Sequence, residues 1–283
     1  MSAKSVLFLH RYGPVMASYR FRAQVPSVEV GKINGFRCGL NEPGEYDIVV
    51  VSKPNAEDLP TVEHLKREGC KVVVDFADDH FAKDKSYHDF AKLADSIVCG
   101  SNVMRGTIYD YTKRDSVAIP DPYEQPEREP HADGDQFIWF GHTRNLPEIN
   151  RVSGILSGRK VLLATGPKLP EKKRVIWGAE ALGQALAASN IALLPTQPGA
   201  EYKTPNRLLN AIRAGCFPIC MSHPSYKEFN RLVWVGDFQT GLRWTDAFRG
   251  DLNGCVKAAQ DYIRDRYSPQ AIGALWASYL DSV

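Results

Sequence analysis

No apolar run in this chain approaches the roughly 18 residues that span a bilayer; Tyr46–Val51 and Asn190–Leu194 stop far short. The opening residues, MSAKSVLFLHRYG, hold a short apolar stretch that meets His10 and Arg11 at once. They lack the apolar region and small-residue cleavage site of a secretory signal. A soluble, cytoplasmic protein with no transmembrane segment is the expectation. No CxxC spacing occurs among Cys38, Cys70, Cys99, Cys216, Cys220 and Cys255, and Pro218 argues against Cys216 and Cys220 sharing one helical face. Structural zinc is therefore unsupported, and buried free thiols in a reducing compartment are expected. Charge of one sign is also missing. The 35 basic and 33 acidic side chains leave +2, which argues against an extended polyanion track but allows a local basic patch. GxxxxGK[ST], HExxH, GxSxG and zinc-finger spacings are absent, as are internal repeats and low-complexity tracts.

What remains is an ordinary globular composition, 43% hydrophobic and 24% charged, over 283 residues, enough for two domains with one core each. Ser5–Leu9, Asp47–Val51, Lys71–Asp75 and Ser96–Cys99 are short apolar runs without strict alternation, the pattern of strands buried on both faces of a parallel sheet. Between them Ser18–Val30, Asp58–Glu68, Ser86–Ala94 and Asn102–Tyr111 read as helices. Residues 121–134 (DPYEQPEREPHADG), rich in proline and charge and poor in apolar side chains, read as a linker. A second alternation follows. Its strands are Gln136–Phe140, Lys160–Ala164, Asn190–Leu194 and Phe217–Met221, and its helices are Leu146–Leu156, Ala179–Ala188 and Pro205–Ala214. Leu252–Arg266 and Pro269–Leu280 close the chain as two further helices. The expected organisation is an N-terminal α/β domain over 1–120, the linker, and a C-terminal α/β domain over 135–283 that includes the last helices.

The most informative stretch is AEYKTPNRLLNAIRAGCFPI, residues 200–219. Thr204 suits an N-cap, Pro205 the first helical position, and Gly215 the stop. On a helix Lys203, Asn206, Arg207 and Asn210 would align along one side, with Leu208, Leu209 and Ile212 toward the core. Cations at a helix N-terminus are electrostatically misplaced unless an anion completes them, and a diphosphate is the natural one. A solvated polar face over an apolar stripe fits the same residues.

Residues 189–220, SNIALLPTQPGAEYKTPNRLLNAIRAGCFPIC, resemble the donor-binding segment of GT-B glycosyltransferases: an apolar strand ending in Leu-Pro, a loop, then Lys-x-Pro-Asn-Lys/Arg before an apolar helix and Gly-φ-Pro. FIWFGHTRN, opening the second half, extends the likeness. The resemblance implies two Rossmann-like domains facing across a cleft. It assigns the donor diphosphate to Lys203, Thr204, Asn206 and Arg207, and a phosphate-approaching turn to Gly141, His142 and Thr143. The nucleobase falls to the segment Val175-Ile176-Trp177-Gly178, where Trp177 either stacks on the base or is a core side chain. Asn210 stands where many members carry a donor-binding glutamate; it can hydrogen-bond but brings no charge.

KVVVDFADDHF, residues 71–81, sets Asp75, Asp78, Asp79 and His80 at or just past a strand end, where the resembling family often supplies its catalytic base. Asp78 is the first choice, its pKa expected to rise with burial and acidic neighbours; helix capping by Asp78 or Asp79 is the alternative. Gly13, Arg20 and Arg22, in HRYGPVMASYRFRAQVP, resemble an acceptor-side turn and helix start, with exposed surface cations the other reading. The expected function is transfer of a sugar from a nucleotide-diphosphate sugar, a UDP-sugar foremost, to a hydroxyl of a glycan, lipopolysaccharide or modified DNA base. No metal and no separate cofactor are implied. The alternatives are a non-catalytic nucleotide-binding protein and a nucleotide-sugar epimerase of the same architecture.

Overall fold

A computed structural model describes residues 3–165, 174–175 and 178–283. Two all-parallel six-stranded sheets carry the chain. The first uses β1 (Lys4–Leu9), β2 (Phe36–Leu40), β3 (Ile48–Ser52), β4 (Lys71–Phe76), β5 (Ser96–Cys99) and β6 (Val117–Ala118) in the order β2-β1-β3-β4-β5-β6. The second uses β7 (Gln136–Phe140), β8 (Lys160–Ala164), β9 (Arg174–Val175), β10 (Ile191–Leu194), β11 (Phe217–Cys220) and β12 (Trp234–Val235) in the order β12-β11-β10-β7-β8-β9. The expected apolar runs are all strands. Their reason is visible in β3, where Val49 and Val51 join one core cluster and Ile48 and Val50 join another, so successive side chains fill opposite faces. The strands β2, β6 and β12 and the helix Phe238–Ala247 are not legible in the sequence, being short or poor in apolar periodicity.

The strand orders identify where each sheet reverses. In the first, the chain leaves β1 to one side for β2 and then crosses to β3; in the second it leaves β7 for β8 and β9, then crosses to β10. Ligands of open α/β sheets bind beyond the carboxyl ends of strands at such reversals. Those points are the ends of β1 and β3, and the ends of β7 and β10.

Compact units divide the chain differently from the expected domains. The N-terminal unit takes Met1–Pro122, Tyr202–Thr204 and Tyr267–Val283; the C-terminal unit takes Tyr123–Glu201 and Pro205–Arg266. The last helix, Pro269–Asp281, thus belongs to the N-terminal unit rather than the C-terminal one. Trp276 is fully buried there and meets Phe8 edge-on at 5.9 Å, while Ile272, Ala277 and Leu280 join the same cluster. Nor do residues 121–134 form a linker: Asp121 and Pro122 fall in the N-terminal unit and 123–134 in the C-terminal one, where Tyr123, Gln125 and Ala132 are buried. Their backbone is tied down by Asn210, whose Oδ1 accepts from Glu124 N and Gln125 N, and by Gln260, which donates to Arg128 O. Composition could not reveal this, because the groups that satisfy the segment lie far along the chain.

The helix Asn206–Arg213 is capped by Pro205, one residue later than expected, and buries Leu208, Leu209 and Ile212 as expected. Gly215 ends it at φ +87°, and a Cβ there would meet Glu129 O at 2.4 Å, so both dihedral and space call for glycine. Cys70, Cys99, Cys216 and Cys220 are buried free thiols, while Cys38 and Cys255 are partly exposed. Among the described residues, no helix is long and apolar enough to cross a membrane.

Candidate functional site

In the C-terminal unit, Arg207 reaches the reversal point of the sheet. Its Nη1 donates to Glu148 Oε2 at 2.9 Å and to Phe140 O, the last residue of β7, at 3.4 Å; Nη2 donates to Pro195 O, just beyond β10, at 3.3 Å. Burial opposes the charge, yet oxygen-bearing neighbours, Tyr226 and Glu148 foremost, raise the Arg207 pKa overall. Gly141 lies alongside: its N donates to Ala164 O, and a Cβ on it would stand 3.1 Å from the Trp139 ring and 3.5 Å from Arg207 Nη1. The turn that follows is capped by His142, whose Nδ1 accepts from Arg144 N at 3.1 Å; His142 is exposed and Thr143 half-buried. Asn206 opens the helix, half-buried. Asn210 differs from its expected post, since its amide oxygen is spent on two backbone N–H groups and the residue is buried. Trp177 lies outside the described residues.

In the N-terminal unit, the stretch Tyr202–Thr204 lies on the carboxyl ends of β4 and β5. Ser101 Oγ donates to Tyr202 O at 2.7 Å, and Thr204 packs so closely that its methyl stands 2.6 Å from where a Gly100 Cβ would be. Thr204 Oγ1 donates to Asp121 rather than capping a helix. Lys203, which precedes the helix and so leaves the expected alignment, ion-pairs with Asp78 Oδ1, while Lys53 Nζ sits 2.9 Å from Asp78 Oδ2. Burial alone would raise the Asp78 pKa, as the sequence suggests. The two ammonium groups outweigh it and hold the carboxyl well below the usual carboxylate range. Burial likewise disfavours the Lys203 cation, and Asp78 more than compensates, so the Lys203 pKa is raised. Asp79 is half-buried and accepts from Phe81 N at 3.3 Å; His80 is exposed and packs edge-on against Tyr87 at 5.3 Å.

Arg22 is neither acceptor-facing nor exposed. Its guanidinium grips Asp75 through Nε at 2.9 Å and Nη2 at 2.6 Å, reaches Asp121 Oδ1 at 3.3 Å, and stacks over Trp276 at 5.4 Å. A π-helical turn over Arg20–Gln24, which 3.6-residue periodicity does not anticipate, carries it. Arg20 bonds the carbonyls of Pro14 and Val15, and Gly13 is an exposed turn residue with open space around it.

Beside these lies a cavity of ≈ 240 Å³ at the reversal point of the first sheet, lined by His10, Arg11, Asn41, Asp58 and Thr61 among others. His10 Nδ1 accepts from Tyr12 N at 3.2 Å, so its ring proton sits on Nε2, 3.2 Å from Ser18 Oγ. Burial lowers its pKa, leaving it neutral at pH 7. His10, Lys53 and Glu148 escape sequence reasoning. The only signal for the first two is their position, immediately after or one residue past an apolar run; Glu148 carries none. Among the described residues no group of three or more His, Cys, Asp and Glu could hold a metal ion.

The two sheets thus define a GT-B-like fold of two Rossmann-like units. No family model matches the chain, and no curated protein matches it in sequence. Solved structures do match in fold. The chain is similar to OtsA in its apo form (TM-score 0.68, 8% identity, 99% of this chain and 100% of that one). It is also similar to an α1,3-fucosyltransferase with GDP (0.53, 10%, 99% and 90%). A third is UDP-GlcNAc 2-epimerase from Neisseria meningitidis bound to UDP-GlcNAc (0.51, 7%, 99% and 100%). At such identities the likeness carries the fold alone.

Proposed function

We propose that the protein is an enzyme that uses a nucleotide-diphosphate sugar, and specifically a glycosyltransferase that moves the sugar to a hydroxyl acceptor. The observation that carries this reading is Arg207 at the reversal point of the C-terminal sheet, where it is partly exposed and holds the carbonyls of Phe140 and Pro195 beside Gly141. A guanidinium there sets its positive charge beside the strand ends, where it can stabilise the charge that grows on a departing diphosphate. The likeness to a fucosyltransferase with GDP and an epimerase with UDP-GlcNAc supports the donor class. The acceptor would be served by the N-terminal unit. Proton removal is assigned to Asp79 or His80 rather than Asp78, because a carboxylate paired with two ammonium groups is a poor base.

The test is incubation with a panel of UDP-, GDP- and CMP-sugars, following slow hydrolysis and the binding of the free nucleoside diphosphates. One donor should be hydrolysed, and Arg207→Ala should cut its turnover at least about tenfold, roughly 1.4 kcal/mol of barrier. Wild-type turnover in that variant removes the proposal. A donor converted to its epimer without net hydrolysis selects the epimerase reading instead.

A further inference from the structure

Lys53 and Lys203 converge on one carboxylate, and neither is an ordinary surface cation. The Lys53 backbone is left-handed, at φ +54°, a conformation uncommon outside glycine that orients its N–H onto Asp75 O at 2.9 Å. Its ammonium lies over the Tyr12 ring at 5.7 Å, and that of Lys203 over the Tyr202 ring at 4.8 Å. Each Asp78 oxygen is taken by one lysine, so both ammonium groups keep N–H donors to spare, and the Lys203 side chain remains 49% exposed.

We propose that Lys53 and Lys203 form an anion subsite of the N-terminal unit that receives a phosphate or carboxylate group, with Asp78 holding the two ammonium groups together while the subsite is empty. The subsite stands on this geometry; that the anion belongs to the acceptor rests on the glycosyltransferase reading. Asp78 then competes with the ligand. Its removal tightens anion binding, whereas loss of Lys53 weakens it.

Titration of the full chain with inorganic phosphate and, in parallel, acetate, read by calorimetry, tests this. Phosphate is expected to bind; Lys53→Met weakens it about fivefold or more, Lys53→Arg restores it, and Asp78→Asn tightens it by a similar factor. Acetate following the same pattern more tightly than phosphate assigns the subsite to a carboxylate. No phosphate or acetate binding by the wild type, or binding that Lys53→Met leaves intact, overturns the subsite. Parallel titration with the nucleoside diphosphate separates the two proposals. Lys53→Met should leave that affinity unchanged while Arg207→Ala lowers it. An equal loss in Lys53→Met overturns the acceptor assignment, and an unaffected Arg207→Ala overturns the donor reading without touching the subsite.

Discussion

The carboxyl ends of the two sheets, built from the same alternation of strand and helix, each meet an arginine and handle it differently. In the N-terminal unit Arg22 faces two carboxylates, Asp75 and Asp121, and its side chain is 2% exposed. In the C-terminal unit Arg207 faces one carboxylate, Glu148, has Tyr226 and the main-chain carbonyls of Phe140 and Pro195 as further partners, and is 19% exposed. A guanidinium outnumbered by carboxylates and sealed from water has no capacity for a further anion. One matched once, and still touching solvent, keeps it. Position at a strand end therefore does not by itself make a cation functional; the surrounding counter-charge decides.

The sharpest way to break this contrast is to remove each arginine in turn. Arg22→Met strands Asp75 in the core and should cost about 3–5 kcal/mol in urea unfolding at pH 7. Arg207→Met leaves only Glu148 unpaired and should cost less, about 2 kcal/mol. Equal losses, or the reverse order, would mean that the two sites do not differ as scaffold and binding group. The smallest expected effect refines the N-terminal side. Because the Asp78 pKa is depressed in the folded protein, its pairing contributes fully above the unfolded value near 3.9 and is lost as pH falls from there toward the folded value. With a partly exposed lysine on one side, that contribution is about 1 kcal/mol. The stability gap between wild type and Asp78→Asn, measured from pH 7 to pH 3, should shrink on acidification; a gap that widens would contradict the pairing.

Legibility followed locality. Strands such as Gln136–Phe140 and Ser96–Cys99 were readable because unbroken apolar runs need no knowledge of their partners. Gly215 was readable as a helix stop for the same reason. Asp78 and Lys203 could each be nominated, but 125 positions separate them, and the sign of the Asp78 pKa depends on a lysine the spacing cannot supply. Arg22 reads as an acceptor-side or exposed cation because nothing in the spacing signals its π-helical turn, and its partners Asp75 and Asp121 lie 53 and 99 positions away. Residues 121–134 read as a linker because proline and charge suggest solvent, whereas Asn210, Arg213 and Gln260 satisfy the backbone and charges of the segment from elsewhere.

The sequence by itself determined that this chain forms two parallel α/β sheets, since apolar periodicity and helix punctuation act over a few residues. Tertiary structure decided which carboxylate meets which cation, and hence which charged groups are scaffold and which remain available. Electrostatic pairing acts through space between residues whose neighbourhood exists only after folding.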